Sequence, residues 1–201
     1  MKAEQLAASQ LRRMRGMTAL YHRLFFSDVR FTIVALLAVF AAGSAGVEPM
    51  FLAAAPIALL GGAQTAFDAS YLIFARHYAV RLEARLNKSA GEDVLIAGKL
   101  EDSYLFPLGE RKLVAVATGP GFSWFGYMTI LYTVLGISAF VAGIAASAAQ
   151  AFDVIGSQWA AVYLGVLGLL TATTMAVGWW WFPGGEGERR LTKILDDSFG
   201  E

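Results

Sequence analysis

Gln64, Thr65, Asp68 and Tyr71 fall at helical spacing inside a long apolar stretch, where a carboxylate is out of place. With Gly61 a turn earlier they line one face of any helix that carries them. An ionisable group near the middle of a membrane span costs about 3 kcal/mol on insertion scales and usually faces a cavity, a partner or an ion path. One reading makes the stripe a pore-lining or ion-coordinating surface. The other places Asp68 in the inner interfacial layer, ion-paired with Arg30 or Arg76.

A second set of chemically able residues is Arg12, Arg13, Arg15 and Arg23. Ala7, Leu11, Met14, Tyr21 and Phe25 recur at intervals of four and three, with Thr18 filling the gap, so the arginines take the other sides of an amphipathic helix over 3–27. Such a helix lies in the headgroup layer and draws anionic lipid, docks on its own bundle or on a neighbouring subunit, binds a cytoplasmic protein partner, or is simply a solvated basic arm.

The remaining residue types exclude more than they offer. Cysteine is absent, which removes disulfides, thiolate metal sites and cysteine nucleophiles. The 2 histidines, His22 and His77, cannot supply paired axial haem ligands. Asp68 and His77 on one helix would stand about 13 Å apart along its axis, too far to cooperate directly. No acidic cluster suits a divalent metal, no Gly-rich loop precedes a lysine, and neither a nucleophile elbow nor a potassium filter is present. The expectation is a protein that is not an enzyme and uses no cofactor and no metal. A net charge of +0 gives no reason to expect nucleic acid.

The elements that must hold these residues follow from the apolar pattern. Hydrophobic residues make up 57% of the chain and charged ones 16%, against roughly 45–50% and about 25% in soluble domains. The apolar residues gather in four runs, 31–46, 50–74, 122–149 and 158–182. Runs of this kind match the roughly 20 residues a spanning helix needs, whereas helices of a soluble core keep a polar face. The first run is the shortest, and Ala41-Ala42-Gly43-Ser44-Ala45 resembles a signal-peptide cleavage site. The long stretch before it favours an ordinary span instead.

The fold expected is an all-α membrane protein with four transmembrane helices as two antiparallel hairpins. Its parts are a cytoplasmic amphipathic helix (1–29), a first hairpin (30–74), a cytoplasmic stalk and loop (75–121), a second hairpin (122–182) and a cytoplasmic carboxyl-terminal tail (183–201). Orientation follows from charge: all 16 Lys and Arg lie before the first run, between the second and third, or after the fourth. The connections around Glu48 and Asp153 hold none, so both termini are expected in the cytoplasm.

Tyr71, Phe74, Tyr78, Leu82 and Arg85 share a face of the stalk, which is expected to run to about Asn87. Ser89-Ala90-Gly91-Glu92 reads as a capping box opening a short helix over 90–104. Leu108-Gly109-Glu110 reads as a turn, and 112–117 as a short strand or the approach to the third span. Trp124 and Tyr127, and Trp179, Trp180, Trp181 and Phe182, stand where interfacial aromatic belts are expected, and Pro183-Gly184-Gly185 ends the fourth helix. Thr129, Tyr132, Thr133, Ser138, Thr171, Thr173 and Thr174 are expected to bond to neighbours or to their own backbone. Small residues four apart recur at Ala42 and Gly46, Ala58 and Gly62, Ala139, Gly143 and Ser147, Ala161 and Gly165, and Gly168, Ala172 and Ala176. They allow close helix approach and suggest a homo-oligomer.

A basic stalk ending Glu83-Ala84-Arg85-Leu86-Asn87 after a hairpin, then a short acidic segment, is similar to bacterial membrane proteins. It also loosely resembles the two-span effector modules of bacterial defence systems. The resemblance implies a bacterial cytoplasmic (inner) membrane and assigns no residue a role. From the residues themselves, an oligomeric ion or small-solute pore stands slightly ahead of a non-catalytic membrane anchor or assembly protein, with the lipid bilayer as the constant partner.

Overall fold

The computed structural model describes residues 3–104, 112–113, 116–117 and 124–200. Helix α1 runs over Ala3–Ser44, α2 over Phe51–Ala90, α3 over Ala97–Tyr104, α4 over Trp124–Ile155, α5 over Ser157–Trp181 and α6 over Glu186–Phe199. A single 3-10 turn, Glu48–Met50, joins α1 to α2. Lys112–Leu113 (β1) and Val116–Ala117 (β2) pair antiparallel, Lys112 opposite Ala117. Four of the helices are long and apolar enough to cross a membrane: Glu4–Ser44, Glu48–Ala90 with its leading turn, Gly126–Ile155 and Ser157–Trp181.

The amino-terminal amphipathic segment and the first apolar run are one helix. Ser27-Asp28-Val29-Arg30, between them, contains neither Gly nor Pro, so nothing interrupts the backbone ladder. Likewise α2 passes the expected stalk end and reaches Ala90. The expected capping box is not formed. Ser89 and Ala90 belong to the last turn of α2, and Gly91 closes it with φ +77° and an N–H donated to the Asn87 carbonyl at 2.9 Å. A left-handed residue past a helix end is the natural place for glycine.

The next helix therefore starts at Ala97 rather than near residue 90. The Asn87 side chain holds the bend by donating to the Leu95 carbonyl and accepting the Leu95 N–H, each at 2.8 Å. The expected turn at Leu108-Gly109-Glu110, the first residues of the run beginning at 122, and the Thr129 side chain lie outside the described residues.

The chain divides into two compact units. The apolar unit comprises Phe25–Ala66 and Leu131–Trp179. In it α2 and α4 meet through small residues: Ala54, Ala55, Ser147 and Ala151 are fully buried. A Cβ at Gly143 would lie 2.9 Å from the Ala55 backbone nitrogen, so the approach there depends on glycine. Gly61 is similarly filled, by Thr32 of α1.

Pro56 sits inside α2 and has no N–H for the Leu52 carbonyl one turn back. The Tyr163 hydroxyl donates to that carbonyl at 2.6 Å, and the Ser147 hydroxyl donates to the Phe51 carbonyl at 2.8 Å. Away from water an unmade backbone bond is costly, so the Tyr163 hydroxyl offsets the one that Pro56 leaves out. Thr171 and Thr173 bond to their own helix, at the Leu167 and Leu169 carbonyls. Gly62, Gly165 and Gly168 meet nothing within 4 Å.

The other unit comprises Met1–Leu24, Phe67–Ile130 and Trp180–Glu201. Met14, Ala79 and Leu82 form its core, with Ala7, Leu11, Met17, Tyr78 and Phe199 packed on them. The apolar face of α1 thus docks on the stalk face of α2, and the stacked rings of Tyr21 and Tyr71, 4.6 Å apart, extend that contact. The stretch 183–201, expected only as a tail, contains α6, which begins after left-handed Gly185 and ends at left-handed Gly200. Its attachment is Arg81 to Asp196 at 2.5 Å and the Tyr78 ring 6.2 Å from that of Phe199.

Candidate functional site

The polar unit holds a cluster of charges drawn from α1, α2 and α3. Arg15 donates to Glu101 Oε1 at 2.7 Å and also to Glu83. The other oxygen of Glu83 accepts the Gly98 N–H at 2.8 Å, and Arg76 Nε lies 3.8 Å from Glu101 Oε2. A Cβ at Gly98 would stand 2.8 Å from Glu83 Oε2 and 2.9 Å from Val80, so a larger residue there must displace those side chains. The Glu83 and Arg76 side chains are only 7% and 8% exposed, so their charges are held by each other's neighbours rather than by water. Burial opposes the charge on Arg15, but the hydrogen bonds and attraction of Glu83 and Glu101 outweigh it and raise the guanidinium pKa. The cluster is a fixed clamp that ties α3 and the amino-terminal half of α1 to α2.

The residues singled out from the sequence do not gather into one site. Asp68 is 1% exposed, Tyr71 is stacked on Tyr21, and the Thr65 hydroxyl donates to the Gly61 carbonyl at 2.7 Å. Gln64 is the stripe member that is openly exposed besides Tyr71. Arg30 donates to the Phe26 carbonyl at 3.1 Å, and Arg76 faces Glu101. Of the amino-terminal arginines, Arg15 is taken up by the clamp, whereas Arg12, Arg13 and Arg23 are exposed.

Helix α6 is what sequence reasoning missed. Its signal was present: Glu186 and Glu188 in a first turn, then Leu191, Ile194, Leu195 and Phe199 at helical spacing. Arg190 bonds Glu186 at 2.6 Å and lies over the Trp180 ring at 5.1 Å. Those bonds, from Arg190 and then Arg189, hold the exposed Glu186 carboxyl below its ordinary pKa. Between α6, the stalk part of α2, the start of α1 and the end of α5 lies a cavity of about 830 Å³. Among the described residues no group of three or more His, Cys, Asp or Glu is placed to hold a metal ion.

No protein-family model, curated protein or solved structure matches this chain.

Proposed function

We propose that the chain is a non-catalytic integral membrane anchor whose charged helical unit sits in the cytoplasm and docks an acidic protein partner through exposed arginines of α1. The observation that carries this reading is the division of charge between the units. Among the described residues every Lys and Arg except Arg30, and every Asp and Glu except Asp28, Glu48 and Asp153, belongs to the polar unit. The apolar unit is built from the hydrophobic stretches of four helices, whose most apolar windows are only 17%, 17%, 6% and 11% buried. Phe31, Leu60, Leu169 and Met175 are among the large apolar side chains left outward, a surface that lipid tails solvate and water does not.

The positive-inside asymmetry then puts both termini, the stalk and α6 on the cytoplasmic side and the turns at Glu48 and Asp153 outside. Spans one and two form one antiparallel hairpin, and spans three and four the other. Arg15 is consumed in the clamp, so of the amino-terminal arginines Arg12, Arg13 and Arg23 are the ones exposed to a partner surface. The burial of Asp68 is the reason docking stands ahead of conduction.

The second reading, an oligomeric pore, is favoured by one feature, the exposed Gln64 of the apolar unit. A photo-crosslinking amino acid placed at residue 9 in living cells separates the two. The docking reading expects one defined protein adduct, lost in Arg12→Glu/Arg13→Glu. Absence of any protein adduct, together with ion flux through reconstituted protein that falls in Gln64→Leu, would establish the pore instead.

A further inference from the structure

We infer that the cavity between α2 and α6 binds a long-chain fatty acid, its carboxylate at Arg85 and its alkyl chain along the aromatic and aliphatic wall. This goes beyond the docking reading and does not depend on it. A volume of about 830 Å³ falls within the roughly 300–1,000 Å³ of small-molecule sites.

The lining has the polarity of an amphiphile. Phe74, Tyr78, Leu82, Ile194 and Leu195 make an apolar middle, and Arg85 lines one end. Arg85 lies 5.7 Å from the centre of the Phe199 ring and, among the described residues, meets no carboxylate. A guanidinium set against an aromatic face with no anion beside it suits an arriving carboxylate, which it can bind through two parallel hydrogen bonds. The cavity's other charged residues differ in kind. Arg190 is committed to Glu186. Glu188 opens α6, whereas Phe199 closes it, so Glu188 is about 16 Å along that helix from the Arg85 end.

Length points to a single extended chain. Ser70 and Arg85 both line the cavity on the same helix, which gives it a reach of about 22 Å at the α-helical rise. One leaflet of hydrocarbon, about half of a 30 Å core, is shorter than this. One cation matches one anionic head, whereas a diacyl lipid would need room for two chains beside it.

The test uses the full chain in phosphatidylcholine nanodiscs with a diazirine-bearing palmitate and mass-spectrometric mapping of the cross-links. The expected result is adducts within 70–85 and 181–199, competed by palmitate and not by hexadecanol. Arg85→Gln should reduce the yield tenfold or more, and Arg85→Lys should restore part of it. Ile194→Trp, at a side chain 61% exposed and therefore safe for folding, should block the cavity to a similar degree. Adducts confined to the apolar helices, equal competition by hexadecanol, or displacement by phosphatidylglycerol but not by palmitate would each overturn the inference. Should Arg85→Gln fail to fold, Ile194→Trp and the hexadecanol comparison decide it alone.

Discussion

Glu83, on α2, joins α1 and α3 in the polar unit. It receives Arg15 on one oxygen and the Gly98 N–H on the other, and its own side chain is 7% exposed. Glu83→Ala removes one of the two carboxylates that hold the half-buried Arg15 guanidinium and the acceptor of the buried Gly98 N–H, and is expected to cost about 3 kcal/mol, read by chemical unfolding in detergent. An unchanged midpoint would mean that the clamp is decorative. In the apolar unit, Tyr163→Phe strips the Leu52 carbonyl of its hydroxyl partner and should cost about 1–2 kcal/mol. Pro56→Ala restores an N–H for the same carbonyl, so Tyr163→Phe should cost less in that background. Additive losses in the double-mutant cycle would separate the two residues.

At the scale of the helix, small residues and glycines set which elements can approach. Gly143 lies against the Ala54–Ala55 backbone, and a larger residue there must push α4 off α2. Gly143→Leu is expected to lower the thermal midpoint through overpacking worth about 1–3 kcal/mol, whereas Gly165→Leu, at a glycine with open space beside it, should not. Equal effects at both positions would place Gly165 against a neighbouring subunit.

Helix α6 is held differently, by side-chain pairs at its two ends. The Glu186 carboxyl has a lower pKa folded than unfolded, so its contribution is complete above the unfolded value and disappears as pH falls through the folded one. The protection of the α6 amides, taken as the exchange rate relative to the intrinsic rate at each pH, should therefore fall on acidification through the carboxylate range. The pair is exposed, so the change should be small and should shrink in high salt.

For the whole molecule, the division into a charged and an apolar unit makes topology the decisive measurement. The chain has no cysteine of its own, so single cysteines report without background. Asp153→Cys is expected to react with an impermeant thiol reagent in intact cells, and Ser89→Cys only after permeabilisation. Both positions are exposed, so accessibility across the bilayer is the only variable. Labelling of Ser89→Cys from outside would invert the arrangement, and with it the cytoplasmic docking surface.

The existence and extent of the long helices were written in local terms. Apolar runs, the absence of Gly and Pro across Ser27–Arg30, and the grouping of Lys and Arg are one-dimensional properties of the chain, and a helix long and apolar enough to cross a membrane needs nothing else. The face of α1 through Met14 and Tyr21 and the face of α2 through Tyr71, Tyr78 and Leu82 were also legible, each by its period. That they face each other was not. Pairings such as Arg15 with Glu83 and Glu101 join residues 68 and 86 positions apart, and periodicity says nothing about which of many carboxylates a given arginine reaches. The same limit hid the fate of Ser89, whose capping pattern lost to a helix already running into Gly91, and the attachment of α6. Packing decided these points, because burial of a charge or a ring depends on what arrives from elsewhere in the chain.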